Sequence, residues 1–274
     1  MMRVYLEGIG LFGPGLQGWA AGREVLAGRQ AYAPVAAPLP PVEMLPANER
    51  RRAPKIVKIA LATGAEAFAA AGRDPAAVAT VFASSGGDGD TIHEILSTLA
   101  SPQREPSPTR FHNSVHNAAA GYWSIASGAK AATSSLCCHD GSFAAGLLEA
   151  AVQAVESAEA VALIAYDVPY PAPLSAARPI GAAFGVALLL SPLPSVASFA
   201  RLALAIRPGA PEHSQGASPA LEALRRNTPA ARCVPLLAVL AGGGGGEVML
   251  EYLPDLALEA AVTPRPASGW EDEA

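Results

Sequence analysis

The chain has 274 residues, enough to bury a core of its own as one large domain or two small ones. Apolar residues make up 51% of it and charged residues 16%, a balance that argues against a disordered protein or one that coats nucleic acid. Its 19 basic and 24 acidic side chains give a formal net charge of -5, so there is no global attraction to nucleic acid or to anionic lipid.

The three cysteines, Cys137, Cys138 and Cys233, indicate a reducing compartment. They are odd in number, two of them are neighbours, and neither a metal-type spacing nor a secretory apolar segment accompanies them. The longest apolar stretches, such as 180–190 and 233–241, are too short to span a bilayer. We therefore expect a cytoplasmic protein without disulfides, metal or another cofactor, and without a membrane span.

Strand-like and helix-like segments alternate along the first half of the chain. "RVYLEGIGLF", residues 3–12, predicts a strand that ends in a Gly-Pro-Gly turn, and a helix-like segment follows it. Residues 54–71 predict a long helix, because small and apolar residues recur at helical spacing and Gly72 can stop it. A buried strand, "VATVFASS", and a helix capped by Asp90 are expected next.

The second half continues the alternation. "KAATSSL" predicts a short strand, "GSFAAGLLEAAVQAVES" a helix, and "AVALIAYDV" another buried strand. Two further strand candidates, in "GAAFGVALLLSP" and "SFARLALAI", are expected to run antiparallel at one edge, whereas "SPALEALRRN" and "RCVPLLAVLA" are helix-like. The glycine run 242–246 lacks the Lys-Ser/Thr pair of a phosphate-binding loop and predicts a flexible turn. The polar, proline-rich tail at 263–274 is expected to be disordered.

The composition of the strand segments indicates the fold class. Segments such as 78–85 and 160–168 hold almost only apolar or small residues, so both of their faces are expected to be buried. Strands of this kind that alternate with helices are typical of a sheet covered by helices on both sides. We therefore expect an α/β protein with α/β/α layers around a mixed, mainly parallel sheet.

The segment "TSSLCCHDGSFAAGLLEAA", residues 133–151, places two thiols where a strand gives way to a helix. A thiol there faces the positive end of the helix dipole, which lowers its pKa, so Cys138 is a candidate nucleophile. Cys138, His139 and Asp140 cannot form a ready triad, because consecutive side chains at a helix start point about 100° apart. The alternative is structural, with two small buried thiols beside Asp140 acting as a helix cap.

Three segments resemble β-ketoacyl synthases. "SLCCHDGSFAAGLLEA" is similar to their nucleophile segment, in which glycines follow the cysteine by three and eight positions; Gly141 and Gly146 match and so select Cys138. "VYLEGIGLFGPG" resembles their opening strand, and "PTRFHNSVHNAAAGYWSI" their Ser-x-x-Asn-x-x-Ala-Gly stretch. The matching positions in that stretch are Ser114, Asn117, Ala120 and Gly121. Over roughly residues 3–192 the chain is similar to the ketosynthase-like N-terminal family that includes chain-length factors of aryl polyene and related pigment pathways.

The resemblance implies a thiolase-like domain equivalent to the N-terminal half of a ketosynthase at 1–192, with a reduced C-terminal extension packing on it at 193–262. Ketosynthases use two further histidines, in a His-Gly-Thr and a Gly-His segment, and this sequence contains neither motif. After His139 the only histidine is His213, in a polar loop expected at the surface. We therefore expect Cys138 to be vestigial or acyl-accepting, and the chain alone not to be a competent condensing enzyme.

Two further groups of residues are candidates for function. His112 and His116 could approach Cys138 from the same chain or from a partner, or could only order a loop rich in Asn and Ser. The basic segment "ERRRAPKIVK" could steer an acidic acyl carrier protein onto the chain, or could be a solvated helix face. Its candidate docking residues are Arg50, Arg51, Arg52 and Lys55.

Three functions follow from these observations. The first is an accessory chain-length-factor-like subunit that shapes the acyl tunnel of a complete ketosynthase in fatty-acid or polyketide-type biosynthesis, such as that of aryl polyenes. It would expose an apolar face to that partner in a heterodimer, although a homodimer is also possible. The second is a cysteine-dependent acyltransferase or thioesterase in which Cys138 is acylated with help from His112, His116 or His139. The third is a scaffold that only binds carrier protein.

Overall fold

The computed structural model describes residues 1–209 and 211–270, and within them the strands form one continuous sheet. The strands are β1 (Met2–Gly13), β2 (Leu16–Gln17), β3 (Ala79–Ala83), β4 (Thr133–Leu136), β5 (Val161–Asp167), β6 (Phe184–Ser191), β7 (Ala200–Pro208), β8 (Gly246–Leu253) and β9 (Leu256–Pro264). The helices are α1 (Trp19–Leu26), α2 (Ala47–Arg52), α3 (Lys55–Ala71), α4 (Gly89–Ala100), α5 (Pro108–Asn113), α6 (Ala118–Ser127), α7 (Ser142–Ser157), α8 (Leu174–Ala177), α9 (Pro219–Asn227) and α10 (Val234–Gly242). Two 3-10 turns, His139–Gly141 and Pro229–Cys233, precede α7 and α10.

The sheet is mixed, with the strand order β4-β3-β5-β6-β1-β7-β9-β8 and β2 paired to β1. Among the described residues, only β4, β3 and β5 run parallel to one another. The mixed sheet is therefore confirmed, but its parallel share is smaller than expected. β6 and β7 run antiparallel to their neighbours, as expected, but both lie inside the sheet and not at an edge. A short turn joins β8 to β9, and such a turn permits only antiparallel pairing.

Helices cover both faces of this sheet. Alternate residues of β3 point to opposite sides: Val81 and Ala83 join a core formed with α7, whereas Phe82 joins a second core formed with α3 and α6. Helices α1, α9 and α10 contribute to the same core as α7. The layered α/β/α arrangement is confirmed. None of the helices in the described residues combines the length and apolar character that crossing a membrane would require.

The long helix expected in the first half of the chain is α3, and it packs on β1. It ends at Gly72, whose left-handed φ of 65° suits glycine. On the facing strand, Gly10 lies so close to α3 that an added Cβ would be 1.9 Å from the carbonyl oxygen of Thr63. Glycine is therefore required in β1 because the backbones of the strand and the helix touch.

The prediction of a disordered tail at 263–274 is wrong for residues 263–270. Strand β9 continues to Pro264, and the ring of Trp270 packs edge-on against that of Tyr5, with 5.0 Å between the ring centroids. The indole Nε1–H of Trp270 also donates to the carbonyl oxygen of Ser198 at 3.3 Å. The polar composition of the tail gave no sign of this packing, which depends on a single aromatic residue, Trp270. Residues 271–274 lie outside the described residues.

Candidate functional site

Polar side chains meet at the end of the sheet where β4, β3 and β5 finish. Cys137 and Cys138 follow β4, Ser84 and Ser85 follow β3, and Asp167 is the last residue of β5. Because these strands are parallel, their carboxyl ends lie along one side of the sheet. In open α/β sheets this is the side at which ligands bind.

Cys138 occupies the turn between β4 and α7. Its backbone N–H donates to Ser142 Oγ at 3.0 Å, and that hydroxyl donates to the carbonyl oxygen of His139 at 2.7 Å. His139 has a left-handed φ of 49°, which makes the turn sharp. A 3-10 turn therefore separates Cys138 from Ser142, the first residue of α7.

The two thiols differ in exposure and in their contacts. Partial burial raises the pKa of the Cys138 thiol, and the neighbouring Cys137 raises it further. The expectation that the helix dipole lowers this pKa is therefore wrong, because the thiol is desolvated and stands a 3-10 turn away from α7. Cys137 is exposed, and its Sγ–H donates to the carbonyl oxygen of Ser85 at 3.0 Å.

The candidate histidines are spread around the site. His116 is half-buried, with Nε2 3.1 Å from the carbonyl oxygen of Ser84, whereas His112 is exposed on α5. Within the described part of the chain, neither makes a hydrogen bond to Cys138. His139 is exposed, with Nδ1 3.7 Å from Asp140 Oδ1. His116 thus lies beside the β3 end that Cys137 contacts, and a catalytic role for it and for His112 remains a prediction.

Asp140 belongs to an ion-pair network and does not cap α7. The helix begins after Gly141 without a side-chain cap, whereas Arg178 donates to Asp140 Oδ1 and Arg232 Nη2 lies 3.1 Å from Asp140 Oδ2. Burial alone would raise the pKa of Asp140, but the hydrogen bond from Arg178 and the charge of Arg232 lower it. The interpretation of Asp140 as a cap is therefore wrong.

The same arginines connect this turn to the rest of the site. Arg178 donates to Ser85 Oγ at 2.7 Å, and Arg232 forms an ion pair with Glu251 on β8. His213 is half-buried, and burial together with the charges of Arg225 and Arg232 lowers its pKa. It is therefore not the plain surface residue that was expected. Sequence reasoning missed both arginines, because the residues they join are far apart in the chain.

Asp167, also missed, is fully buried behind the site. Its Oδ1 accepts hydrogen bonds from Ser85 N–H at 2.9 Å and Ser84 Oγ at 3.1 Å, and its Oδ2 accepts one from Ala230 N–H at 2.9 Å. Burial raises the pKa of Asp167 to about 7, against the lowering effect of these donors. The only sequence signal was a carboxylate at the end of an otherwise apolar strand. Asp167 joins the end of β3 to the turn at 229–233.

The basic segment forms α2 and the start of α3. Arg50 donates to the carbonyl oxygen of Leu45 at 3.0 Å, and Arg51 donates to the side-chain oxygen of Asn48. The other two cations have acidic partners. Arg52 Nη1 lies 3.7 Å from Glu49 Oε1, and Lys55 Nζ lies 2.6 Å from Asp90 Oδ2. A role for this segment in carrier-protein docking stays a prediction. No three histidine, cysteine or carboxylate side chains of the described residues cluster as a metal site would need.

Comparisons with known proteins agree with this architecture. Among solved structures, the chain resembles the ketosynthase ApeO in complex with its chain length factor ApeC from Xenorhabdus doucetiae, with a TM-score of 0.70, 20% identity, and coverage of 96% of this chain and 100% of that chain. The ishigamide ketosynthase/chain length factor gives a TM-score of 0.72 at 14% identity, with coverage of 96% and 99%. The complex AntDE:AntF, a type II polyketide synthase acyl-carrier protein with its ketosynthase, gives 0.73 at 12% identity, again with 96% and 99%.

A search of curated protein sequences finds no match. The sequence model of the family described as "Beta-ketoacyl synthase, N-terminal domain" matches residues 22–236, which is most of the chain. The match includes the β4–α7 turn with Cys138 and extends past residue 192, where the N-terminal domain was expected to end. This chain therefore belongs to the β-ketoacyl synthase N-terminal domain family.

Proposed function

We propose that this chain is an accessory, chain-length-factor-like subunit that pairs with a complete ketosynthase in fatty-acid or polyketide-type biosynthesis, such as that of aryl polyenes. The observation that carries the proposal is the open edge of β4, the strand that leads to Cys138. Free thiols at Cys137, Cys138 and Cys233 fit a reducing cytoplasm as the place of assembly.

Strand β4 ends the sheet and, in the described part of the chain, pairs with β3 alone. Thr80 N–H donates to the carbonyl oxygen of Ala132, and Ser84 N–H donates to that of Leu136. Because peptide groups alternate in direction along a strand, those of Thr133 and Ser135 face the open side. An open edge of this kind is a template for a strand of another chain.

The surroundings of this edge are apolar as well as open. Both α6 and α7 contact β4, and each exposes an apolar side chain, Ile125 on α6 and Val152 on α7. Phe111 and Val115, which precede α6, are also exposed. A partner that covers such side chains gains about 25 cal/mol for each Å² of apolar surface it buries. The edge therefore has both features of a protein interface, backbone groups to pair and apolar surface to bury.

The comparisons favour a ketosynthase as that partner. Two of the matched structures, those of ApeO with ApeC and of the ishigamide ketosynthase/chain length factor, are covered over 100% and 99% of the matched chain, so the likeness extends over a whole subunit there. A third matched complex contains an acyl-carrier protein. For this chain we propose the same kind of heterodimer, with an acyl carrier protein delivering the growing chain.

In this proposal Cys138 does not supply the nucleophile of the pair. Its raised pKa keeps the thiol protonated at neutral pH, and a thiol is a much weaker nucleophile than a thiolate. The exposed end of β4, with Cys137, would instead form part of the wall of the acyl tunnel. The alternative, an acyltransferase or thioesterase acylated at Cys138, predicts a covalent adduct in the intact mass after incubation with acyl thioesters, absent from Cys138→Ala.

The open edge can be tested with two variants that differ in one backbone donor. Ser135→Pro removes the N–H that faces the open side without touching the bonds to β3, whereas Ser135→Ala keeps it. We expect the wild type and Ser135→Ala to co-elute with a complete ketosynthase from the same genome, and Ser135→Pro to elute alone with a similar melting temperature. Equal co-elution of both variants, or a wild-type chain that binds no ketosynthase, would contradict the proposal.

A further inference from the structure

Cys137 and Cys138 are adjacent thiols, and both differ in exposure from the third cysteine of the chain. Cys137 is exposed and Cys138 is half-buried, whereas Cys233 is fully buried, and all three thiols are free. Burial raises the pKa of the Cys233 thiol well above its usual value. Because thiol chemistry needs both thiolate and access, reactions with molecules from solvent are confined to the adjacent pair.

The backbone around the two cysteines belongs to no regular element. Successive side chains of a strand point to opposite faces, but β4 ends at Leu136 and the 3-10 turn begins at His139, so neither cysteine is bound by that alternation. In the described chain, the peptide group that joins the cysteines makes one hydrogen bond, from the Cys138 N–H to Ser142 Oγ at 3.0 Å. The two side chains can therefore turn towards each other without breaking a bond of the sheet or of a helix.

The two sulfur atoms lie close enough to influence each other. Burial raises the pKa of the Cys138 thiol, and the charge of Cys137 raises it further, an effect that acts only between neighbouring groups. The Cys137 thiol donates to the carbonyl oxygen of Ser85 at 3.0 Å. Since a thiol is a weak hydrogen-bond donor, this contact is the only modest restraint on the Cys137 side chain within the described residues.

We infer that Cys137 and Cys138 are a reversible redox pair, which a small-molecule disulfide such as oxidised glutathione converts into a disulfide. In the first step the exposed Cys137 thiolate attacks one sulfur of the oxidant, which forms a mixed disulfide and releases one reduced thiol. In the second step the Cys138 thiolate attacks the Cys137 sulfur and releases the second thiol, which takes up the proton that Cys138 lost. Two thiols of the protein are thereby oxidised, and one disulfide is reduced to two thiols.

The adjacency of the cysteines makes this disulfide a switch and not a permanent cross-link. Consecutive Cα atoms are about 3.8 Å apart across a trans peptide, less than the roughly 4.4–6.8 Å usual between disulfide-bonded cysteines. The bond is therefore strained and easily reduced, which agrees with free thiols in a reducing compartment. Its formation breaks the hydrogen bond from Cys137 to Ser85, which links the ends of β4 and β3, and removes Cys138 as an acyl acceptor. This pair goes beyond the proposed subunit function and does not depend on it.

Counting the thiols of the full chain at increasing ratios of oxidised to reduced glutathione tests the inference. After an acid quench, the remaining thiols are alkylated in denaturant with N-ethylmaleimide, and the intact mass is measured. The reduced chain should carry three adducts, and the oxidised chain one, on Cys233, with no glutathione attached. Dithiothreitol should restore all three. A higher pH should speed the loss of glutathione from the mixed disulfide, because it increases the thiolate fraction of Cys138.

Two variants and a second reagent separate the roles of the cysteines. Cys138→Ser should keep glutathione attached to Cys137, because the resolving thiol is missing, and Cys137→Ser should form no internal disulfide. Phenylarsine oxide measures whether the two sulfurs can meet without oxidation, since its arsenic binds two thiols and its oxygen leaves as water. The wild type should retain this arsenical against excess glutathione, and both variants should lose it.

Two results would overturn the inference. One is a wild-type chain that keeps glutathione on Cys137, or becomes linked to a second chain, without losing both thiols of the pair to an internal bond. The other is equal retention of the arsenical by the wild type and by Cys138→Ser. The measurements use this chain alone, so their outcome is independent of whether it pairs with a ketosynthase.

Discussion

At Cys138 two physical effects on the thiol oppose each other. A helix N-terminus favours a negative charge, but its influence falls off within the first turn. Helix α7 begins only at Ser142, after the 3-10 turn, and the Ser142 hydroxyl accepts its hydrogen bond from the Cys138 backbone N–H. Desolvation therefore prevails, and the pKa of the thiol rises.

The buried carboxyl of Asp167 predicts a specific dependence of the free energy of unfolding on pH. The pKa of the Asp167 carboxyl rises from an ordinary 3.8 to about 7 on folding. At pH values between these two, the folded chain therefore retains a proton on this carboxyl that the unfolded chain has lost. The free energy of unfolding must then fall as the pH rises through this window. We expect the wild type to be less stable at about pH 8 than at about pH 5 by on the order of 1–3 kcal/mol from this group, measured by urea unfolding.

Asp167→Asn removes the titrating group and should flatten that pH dependence, although the amide will also lower stability at every pH because its NH2 faces the Ala230 N–H donor. Asp255→Asn, at an exposed position in the β8–β9 turn, is the control and should keep the wild-type slope. A wild-type chain that becomes more stable from about pH 5 to about pH 8 would contradict the assignment.

The glycines that selected Cys138 show what sequence alone can locate. An added Cβ on Gly141 would lie 2.0 Å from the carbonyl oxygen of Tyr252, and one on Gly146 would lie 2.8 Å from Ala83 Cβ. Their spacing therefore reflects close contacts of the 3-10 turn and of α7 with the sheet. Arg178, Arg232 and Asp167 carry no such local pattern, because their partners are brought together only by folding.

Among the elements, the existence and type of most could be predicted, but α2, β8 and β9 were missed, and pairing direction could not be predicted. Helix α3 has a periodic stripe and a glycine stop, both of which are local signals. The apolar run of β6 reads the same whether the strand runs parallel or antiparallel to β5. The direction of β6 depends on the connection that precedes it, residues 168–183. As the structure describes it, this connection contains no helix except the short α8, whereas a parallel strand usually follows a longer crossover helix. The connections between the strands, and not the composition of the strands, therefore determine the direction in which the strands pair.

Helix α2 and the start of α3 allow carrier-protein docking to be tested. Of the four candidate cations, Arg52 and Lys55 have acidic partners, whereas in the described part of the chain Arg50 and Arg51 donate to uncharged oxygens. We expect Arg50→Glu with Arg51→Glu to weaken binding of an acyl carrier protein at least about fivefold at low salt, measured by fluorescence anisotropy, with a smaller effect at high salt. Arg226→Glu, an exposed charge reversal on α9, should change the affinity little. Equal effects of the two reversals would indicate a general charge effect and not a docking site.

Over the whole molecule, the segment after residue 192 is part of the same sheet and core. Strand β7 pairs with the first half of β1, and β9 and β8 continue the sheet beyond it. Val248, Leu258 and Val262 are buried in the same core as α7. The ion pair of Arg232 with Asp140, and the hydrogen bond of Ala230 to Asp167, fasten this segment to the candidate site.

This continuity predicts that residues 1–192 will not fold stably alone. Removing the rest would uncover one side of β1 and expose the apolar residues that face α9, α10, β8 and β9. It would also leave Asp140 without Arg232 and Asp167 without one of its donors. We expect the full chain to unfold in one cooperative transition and the 1–192 fragment to show no cooperative melting by circular dichroism.

Mixing the fragment 1–192 with a separately expressed 193–274 fragment tests whether the missing contacts are the cause. Because the two parts share a β-ladder and a core, the mixture should regain a cooperative transition, and Leu258→Asp in the second fragment should abolish this recovery. Val196→Asp, at a highly exposed position of the same fragment, should not. A 1–192 fragment that melts cooperatively near the temperature of the full chain would instead mean that the later strands only decorate an independent domain.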